Sequence, residues 1–192
     1  VYGGPILSTW MDRPLSMAGK VCTVSDDPFS PNVHLVDFKR PLLTVPNLAI
    51  HFNREVNSGV ALNPQIDMQP IIAMLDESLN RDDFFLELVA GELKVKKEDI
   101  LDYEFYIYNC DEPQVLGINN EFLSSPRLDN LTSVHACLSG LINSSRKSGI
   151  SVAALYDNEE IGSSTKQGAA SPLTDRILEK IYLSLGYSRS EF

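Results

Sequence analysis

Val152-Ala153-Ala154-Leu155-Tyr156-Asp157-Asn158-Glu159-Glu160-Ile161-Gly162 is the stretch that decides the fold class. The run from Val152 to Tyr156 is apolar and ends abruptly in carboxylates, two of them adjacent. A short apolar run bounded by turn residues reads as a buried strand of a parallel sheet. In open α/β sheets, ligands and catalytic groups gather just beyond the carboxyl ends of such strands. Neighbouring ionised carboxylates repel each other, and burying them unpaired is expensive. A cation relieves that repulsion, so the pair reads either as a metal site or as a solvated acidic turn.

A second segment bears on that choice. Ser125-Pro126-Arg127-Leu128-Asp129-Asn130 leads into a helical pattern, with Leu131, Val134, Leu138, Leu141 and Ile142 at three- and four-residue spacing. Asp129 or Asn130 stands where an N-cap belongs. Asp129 is therefore either the cap of that helix or a metal-ligating carboxylate at a sheet edge. The order helix, strand, acidic cluster brings the two segments together if they form one α/β unit.

The rest of the chain bounds the problem. At 192 residues it is long enough to bury a sizeable core, in one domain or two small ones. Its formal net charge of −10 disfavours nucleic acid or an anionic membrane as the main partner. No apolar run approaches the roughly 20 residues of a transmembrane helix, and the first residues lack a signal-peptide layout. Cys22, Cys110 and Cys137 are too widely spaced for a Cys-x-x-Cys zinc site and fit a reducing cytoplasm. Asn130-Leu131-Thr132 and Asn143-Ser144-Ser145 match the glycosylation pattern only as chance triplets do.

The first part reads as β. Val21 to Val24 and Val33 to Phe38 are rich in β-formers and are separated by a loop. Leu42 to Val45 extends the β character, and Pro46 opens a helical turn carrying Leu48, Ala49, His51 and Phe52. A helix is expected from about Arg81 to Leu93, then a strand from Leu101 to Tyr108. From about Cys110 the character becomes α/β: the helix after Asp129, the strand Ser151 to Tyr156, and the loop Gly162 to Ala170. A last helix is capped by Ser171, carries Leu173, Ile177, Leu178, Ile181 and Leu185, and is closed by Gly186. The expected boundary lies near residue 110, giving a β-rich part over 1–109 and an α/β part over 110–192.

Four separated motifs, in order, resemble the aspartyl aminopeptidase family of dinuclear zinc exopeptidases. They are Val1-Tyr2-Gly3-Gly4-Pro5 with Ser8-Thr9-Trp10-Met11-Asp12-Arg13-Pro14-Leu15; Val45-Pro46-Asn47-Leu48-Ala49-Ile50-His51-Phe52-Asn53-Arg54 with Asn63-Pro64-Gln65; Pro126-Arg127-Leu128-Asp129-Asn130; and Leu155 to Ser163 with Gln167-Gly168-Ala169. The resemblance covers nearly the whole chain. A related family of tetrahedral aminopeptidases usually carries Asp-Asp-Arg where this chain has Asp129-Asn130-Leu131.

The resemblance implies a fold and a chemistry. The fold is α/β with an inserted β-rich domain: a β-barrel-like lid and dimerisation domain, followed by part of a zinc-exopeptidase catalytic domain. The activity implied is removal of N-terminal acidic residues, Asp or Glu, from peptides on two zinc ions held roughly 3.5–4 Å apart. Matched residue by residue, Asp129 takes the bridging-ligand position, Glu160 a terminal-ligand position and Glu159 that of the general base. His51 takes the place of a lid residue that reaches a neighbouring subunit's active site and helps hold the substrate carbonyl. Some members carry further histidines where this chain has Asn47 and Asp67. The family also draws on a His-x-Asp motif upstream and an Asp and a His downstream, none of which this chain contains. It is accordingly expected to be a fragment that binds zinc poorly alone and self-associates as a dimer, with dodecamers in the full-length form. The competing expectation, from a different class, is a non-catalytic lid and oligomerisation module.

Overall fold

The computed structural model describes residues 3–74 and 82–191. Two compact units divide it: residues 6–126 form one, and the described part of 1–5 joins 127–192 in the other.

The first unit is built on a three-stranded antiparallel sheet of order β2-β1-β3. Its strands are β1 (Leu15–Thr23), β2 (Asn32–Asp37) and β3 (Ile100–Asn109). Period-two alternation directs one face of β1 inward. Leu15, Met17 and Val21 are all buried, and Gly19 shares their face. Gly19 lies opposite Phe105 in the ladder, and a Cβ there would collide with the Glu104 carbonyl and the Phe105 ring. Close approach of the two backbones thus requires the missing side chain.

Helix α1 (Phe84–Leu93) completes this core with Val89 and Ala90. Phe85 meets the Phe105 ring edge-on at 5.6 Å and lies 5.2 Å from Tyr103, spacings at which aromatic pairs attract. The expected start of this helix, Arg81, lies outside the described residues. Val36 and Phe38 add to the core from β2 and the residue beyond it, and Leu43 and Val45 from the segment that follows. That segment makes isolated bridges to Leu15, Met11 and Ile71 in place of a continuous strand. A hairpin, β4 (Gln114–Leu116) and β5 (Phe122–Ser124), ends the unit. Its three-residue strands are too short for the alternation that marks a strand in sequence.

The second unit carries helices α2 (Leu128–Ile142) and α3 (Leu173–Ser184). The N-cap position of α3 falls on Pro172, one residue past the expected Ser171, whose hydroxyl still accepts from the Leu173 amide at 3.1 Å; Gly186, at φ 89°, follows the helix as expected. The expected strand over Ser151 to Tyr156 is not formed; the segment has no regular structure and pairs with no strand among the described residues. A strand exists only where its backbone groups find a ladder partner, and here Val152 and Leu155 stay about half exposed. The apolar face of α3 instead borders it, leaving a groove of about 380 Å³ lined by Val152, Leu155, Tyr156, Leu173, Ile177 and Leu178.

Candidate active-site segments

Each carboxylate singled out in the sequence stands on a break in regular structure. Arg127, at φ 62°, starts α2 in the left-handed region, and Asp129 (ψ 107°) and Asn130 (φ −125°) depart from helical geometry within its first turn. The Asp129–Asn130 peptide bond is cis. No side chain caps this end of the helix. Asp129 is exposed, and among the described residues its carboxylate enters no ion pair or side-chain hydrogen bond. The capping role open to Asp129 on sequence grounds is therefore not one it plays.

Glu159 and Glu160 begin a single 3-10 turn, Glu159–Ile161. Asn158 precedes it at φ 63°, a left-handed conformation that asparagine tolerates better than most residues. The turn is tied on both sides. The Gly162 amide donates to the Glu159 carbonyl at 2.9 Å, and the Ser163 amide to the Asn158 carbonyl at 2.9 Å. The Thr165 hydroxyl donates to the Asn158 side-chain oxygen at 2.6 Å, and the Asp157 amide to the Gln167 carbonyl at 3.0 Å. Consecutive residues at a chain reversal project in different directions, so the two glutamates need not serve one purpose. Both are exposed, and neither carboxylate is engaged by another side chain among the described residues.

Gly3, a residue given no role on sequence, lies directly against Glu160. Its φ is 75°, and a Cβ on it would come within 2.6 Å of the Glu160 Oε2 atom. The absent side chain leaves room for that carboxylate. The signal was present in Gly3-Gly4-Pro5, but only tertiary contact gives it a partner.

The two segments share one compact unit, yet among the described residues no group of three or more His, Cys, Asp or Glu side chains gathers as a metal site would require. His51 belongs to the other unit. It is exposed and sits third in a turn over residues 49–52, closed by the Phe52 amide donating to the Ala49 carbonyl at 2.8 Å. Asn47 and Asp67 turn their side chains on the chain's own backbone. Asn47 Oδ1 accepts from the Leu48 amide at 2.9 Å, and Asp67 Oδ2 from the Asn63 amide at 2.7 Å. His34 is structural: its Nε2 pairs with the Thr23 hydroxyl at 2.9 Å across β2 and β1.

An ion pair acts as a latch beside the sheet of the first unit. Arg13 pairs with Asp111 at 2.5 Å. Hydrogen bonds from Asn109 and Arg13 hold the Asp111 carboxyl below its usual range. The latch joins the start of β1 to the end of β3 and leaves the Asp12 carboxylate to another task. No helix of the described residues is long and apolar enough to cross a membrane.

Comparison with known proteins identifies the family of the chain. Residues 1–192 match the model of the aminopeptidase I zinc metalloprotease family, M18. A probable M18 family aminopeptidase 2 of Clostridium acetobutylicum is 48% identical over 192 residues, covering 100% of this chain and 44% of that protein. Its counterpart in Clostridium novyi is 44% identical over the same span. The chain thus spans less than half the length of these relatives. Among solved structures, that of the Ape4 and Nbr1 complex matches 94% of the chain at 32% identity with a TM-score of 0.75. An M18 aminopeptidase of Thermotoga maritima matches all of it at 20% identity and a TM-score of 0.77, a likeness of fold. With its whole length matched and its fold shared, the chain belongs to the M18 family of aminopeptidase I zinc metalloproteases.

Proposed function

We propose that the whole protein is a zinc-dependent aminopeptidase that hydrolytically releases N-terminal Asp or Glu from peptides. The single observation that carries the reading is the state of Asp129, Glu159 and Glu160. All three stand at breaks in regular structure, exposed, with carboxylates that, among the described residues, no cap, ion pair or side-chain hydrogen bond employs. Folding leaves these carboxylates free, and a cation would relieve the repulsion between the adjacent pair.

These donors suit a divalent ion in type, though they do not complete a site among the described residues. On this reading Asp129 and Glu160 would hold the metal, and the remaining ligands come from the length of the relatives that this chain does not span. Two bound zinc ions would supply Lewis acidity and ease deprotonation of water. Glu159 accepts the proton of the attacking water at its carboxylate and delivers a proton to the leaving amine as the C–N bond breaks. His51 holds the oxygen of the scissile carbonyl from a neighbouring subunit, which makes dimerisation part of the mechanism. The β-rich residues 1–109 then form the lid and dimerisation domain, and residues 110–192 part of the catalytic domain. The full-length assembly is a dodecamer working in the cytoplasm, the form in which one related structure, the S. cerevisiae mApe1 dodecamer, was solved.

A second reading treats this polypeptide as a lid and assembly module without activity of its own. It is favoured by the placement of the hydrophobic core, whose buried apolar residues, among those described, all lie within residues 6–126.

Release of N-terminal residues by the whole protein, measured on Asp-, Glu- and Leu-initiated peptides, tests the proposal. Rapid release of the acidic residues, lost on chelation and restored by zinc, is expected. Equal rates on the Leu-initiated peptide would refute the specificity, and activity indifferent to chelation would refute the mechanism.

A further inference from the structure

The loop that carries His51 is held at its root by one side chain. Asp12 stands just before β1 at φ 56°, and its amide donates to the Val45 carbonyl at 2.8 Å. Its carboxylate Oδ1 accepts from the amide of Asn47 at 2.9 Å, across 35 positions of sequence. Met11 bridges Val45 beside it. Beyond Asn47 the Asn47 Oδ1 receives the Leu48 amide, and the turn over 49–52 presents His51. On one side of this junction lies fully buried Val45. On the other, residues 46–52 are exposed, with Leu48, Ile50 and Phe52 all more than half uncovered. Apolar packing does not fix the direction in which the loop leaves the core, so the Asp12 hydrogen bond is what fixes it.

We propose that Asp12 is a positioning residue for His51, acting through the Asn47 amide to set where the 46–52 loop departs from the sheet. The inference rests on the role given to His51 under the proposed function, but the anchoring can be measured without it. The acceptor is charged, which makes this exposed bond stronger than a neutral one in the same place.

Two variants separate the acceptor from the backbone conformation. Asp12→Gly removes the carboxylate and still adopts a positive φ without strain, which alanine would not. Asp12→Asn keeps an Oδ1 acceptor and also tolerates a positive φ. In the whole protein, hydrogen exchange at the Asn47 amide should quicken by about tenfold in Asp12→Gly, the scale of one lost hydrogen bond to a charged group, and return towards normal in Asp12→Asn. On acidic peptides Asp12→Gly should lower kcat by about tenfold with KM little changed, because a hold on the carbonyl oxygen acts mainly in the transition state. Asp12→Asn should restore it, and Asp12→Gly should cost nothing further in a His51→Ala background.

Unchanged exchange at Asn47 in Asp12→Gly would overturn the anchor. A loss that adds fully to that of His51→Ala would overturn the route through His51. Normal turnover in His51→Ala alone would refute the role of His51 and with it the catalytic consequence of Asp12, while the exchange data would still judge the anchor. Equal thermal midpoints in Asp12→Gly and Asp12→Asn, alongside different kcat values, would set positioning apart from a merely structural effect.

Discussion

Asp129 shows how much a single residue's setting adds to its identity. Read in sequence it fits a helix cap as well as a ligand; in the structure it sits in a non-helical step of α2 and caps nothing. Glu159 and Glu160 are likewise distinguished by place, as neighbours in one tied turn, with Gly3 leaving room beside Glu160 alone. The proposed roles separate under substitution. Glu159→Gln in the whole protein keeps the shape of the side chain and removes its basicity, so turnover should fall by roughly 10²–10⁴-fold with metal content intact. Asp129→Ala should lower metal content itself. Zinc analysis and peptide release on the same preparations check both, and a metal-replete Asp129→Ala would mark that carboxylate as structural. Asp12 and Gly3 were beyond reach at this scale from sequence, since their partners are distant in the chain and no periodicity marks them.

At the scale of elements, legibility followed the source of stability. Helix α3 was readable with its stripe, its closing glycine and, to within one residue, its cap, because all of its signals are local. The core of β1 was readable only in its second half, since Gly19 and Lys20 interrupt the β-forming composition that marks Val21 to Val24. Yet at Gly19 a Cβ would run into the backbone of β3, and Gly19→Ala should destabilise the unit by about 1–3 kcal/mol, the usual cost of overpacking. Denaturant unfolding of the chain checks this; an unchanged midpoint would show that β3 can shift aside. Val152 to Tyr156 is the converse case. Its apolar character is plain, but pairing is a property of two strands, and no partner strand lies among the described residues.

At the scale of the whole molecule, burial is unevenly shared. Leu15, Val21, Val45 and Val89 are fully buried in the first unit, while helices α2 and α3 contain no buried residue. Leu131, Ile142, Val152, Leu173 and Leu185 are all about half exposed or more, and in the β-rich part Phe29, Val33 and Leu35 are each more than half exposed. Apolar surface left uncovered on this scale seeks a partner. The 192-residue chain should therefore self-associate, with the β-rich part pairing two-fold as soluble subunits most often do, and should release no N-terminal residues even in excess zinc. Light scattering and a peptide-release assay on one sample decide both points. A strict monomer at high concentration would refute the association, and zinc-dependent release of Asp or Glu would refute the inactivity.

The sequence by itself determined the family, through motifs whose order and spacing are local and survive without coordinates. It also determined the mixed α/β class and the helices, because caps, glycine stops and helical periodicity act over a few residues. Only the tertiary structure decided that Asp129 is released from capping, that Gly3 lies against Glu160, that Asp12 holds the amide of Asn47, and that Val152 to Tyr156 pairs with no strand among the described residues. Each of these depends on which distant backbone groups come within hydrogen-bonding or van der Waals reach. That outcome is set by the packing of the whole core, since a residue's neighbours along the chain do not carry it.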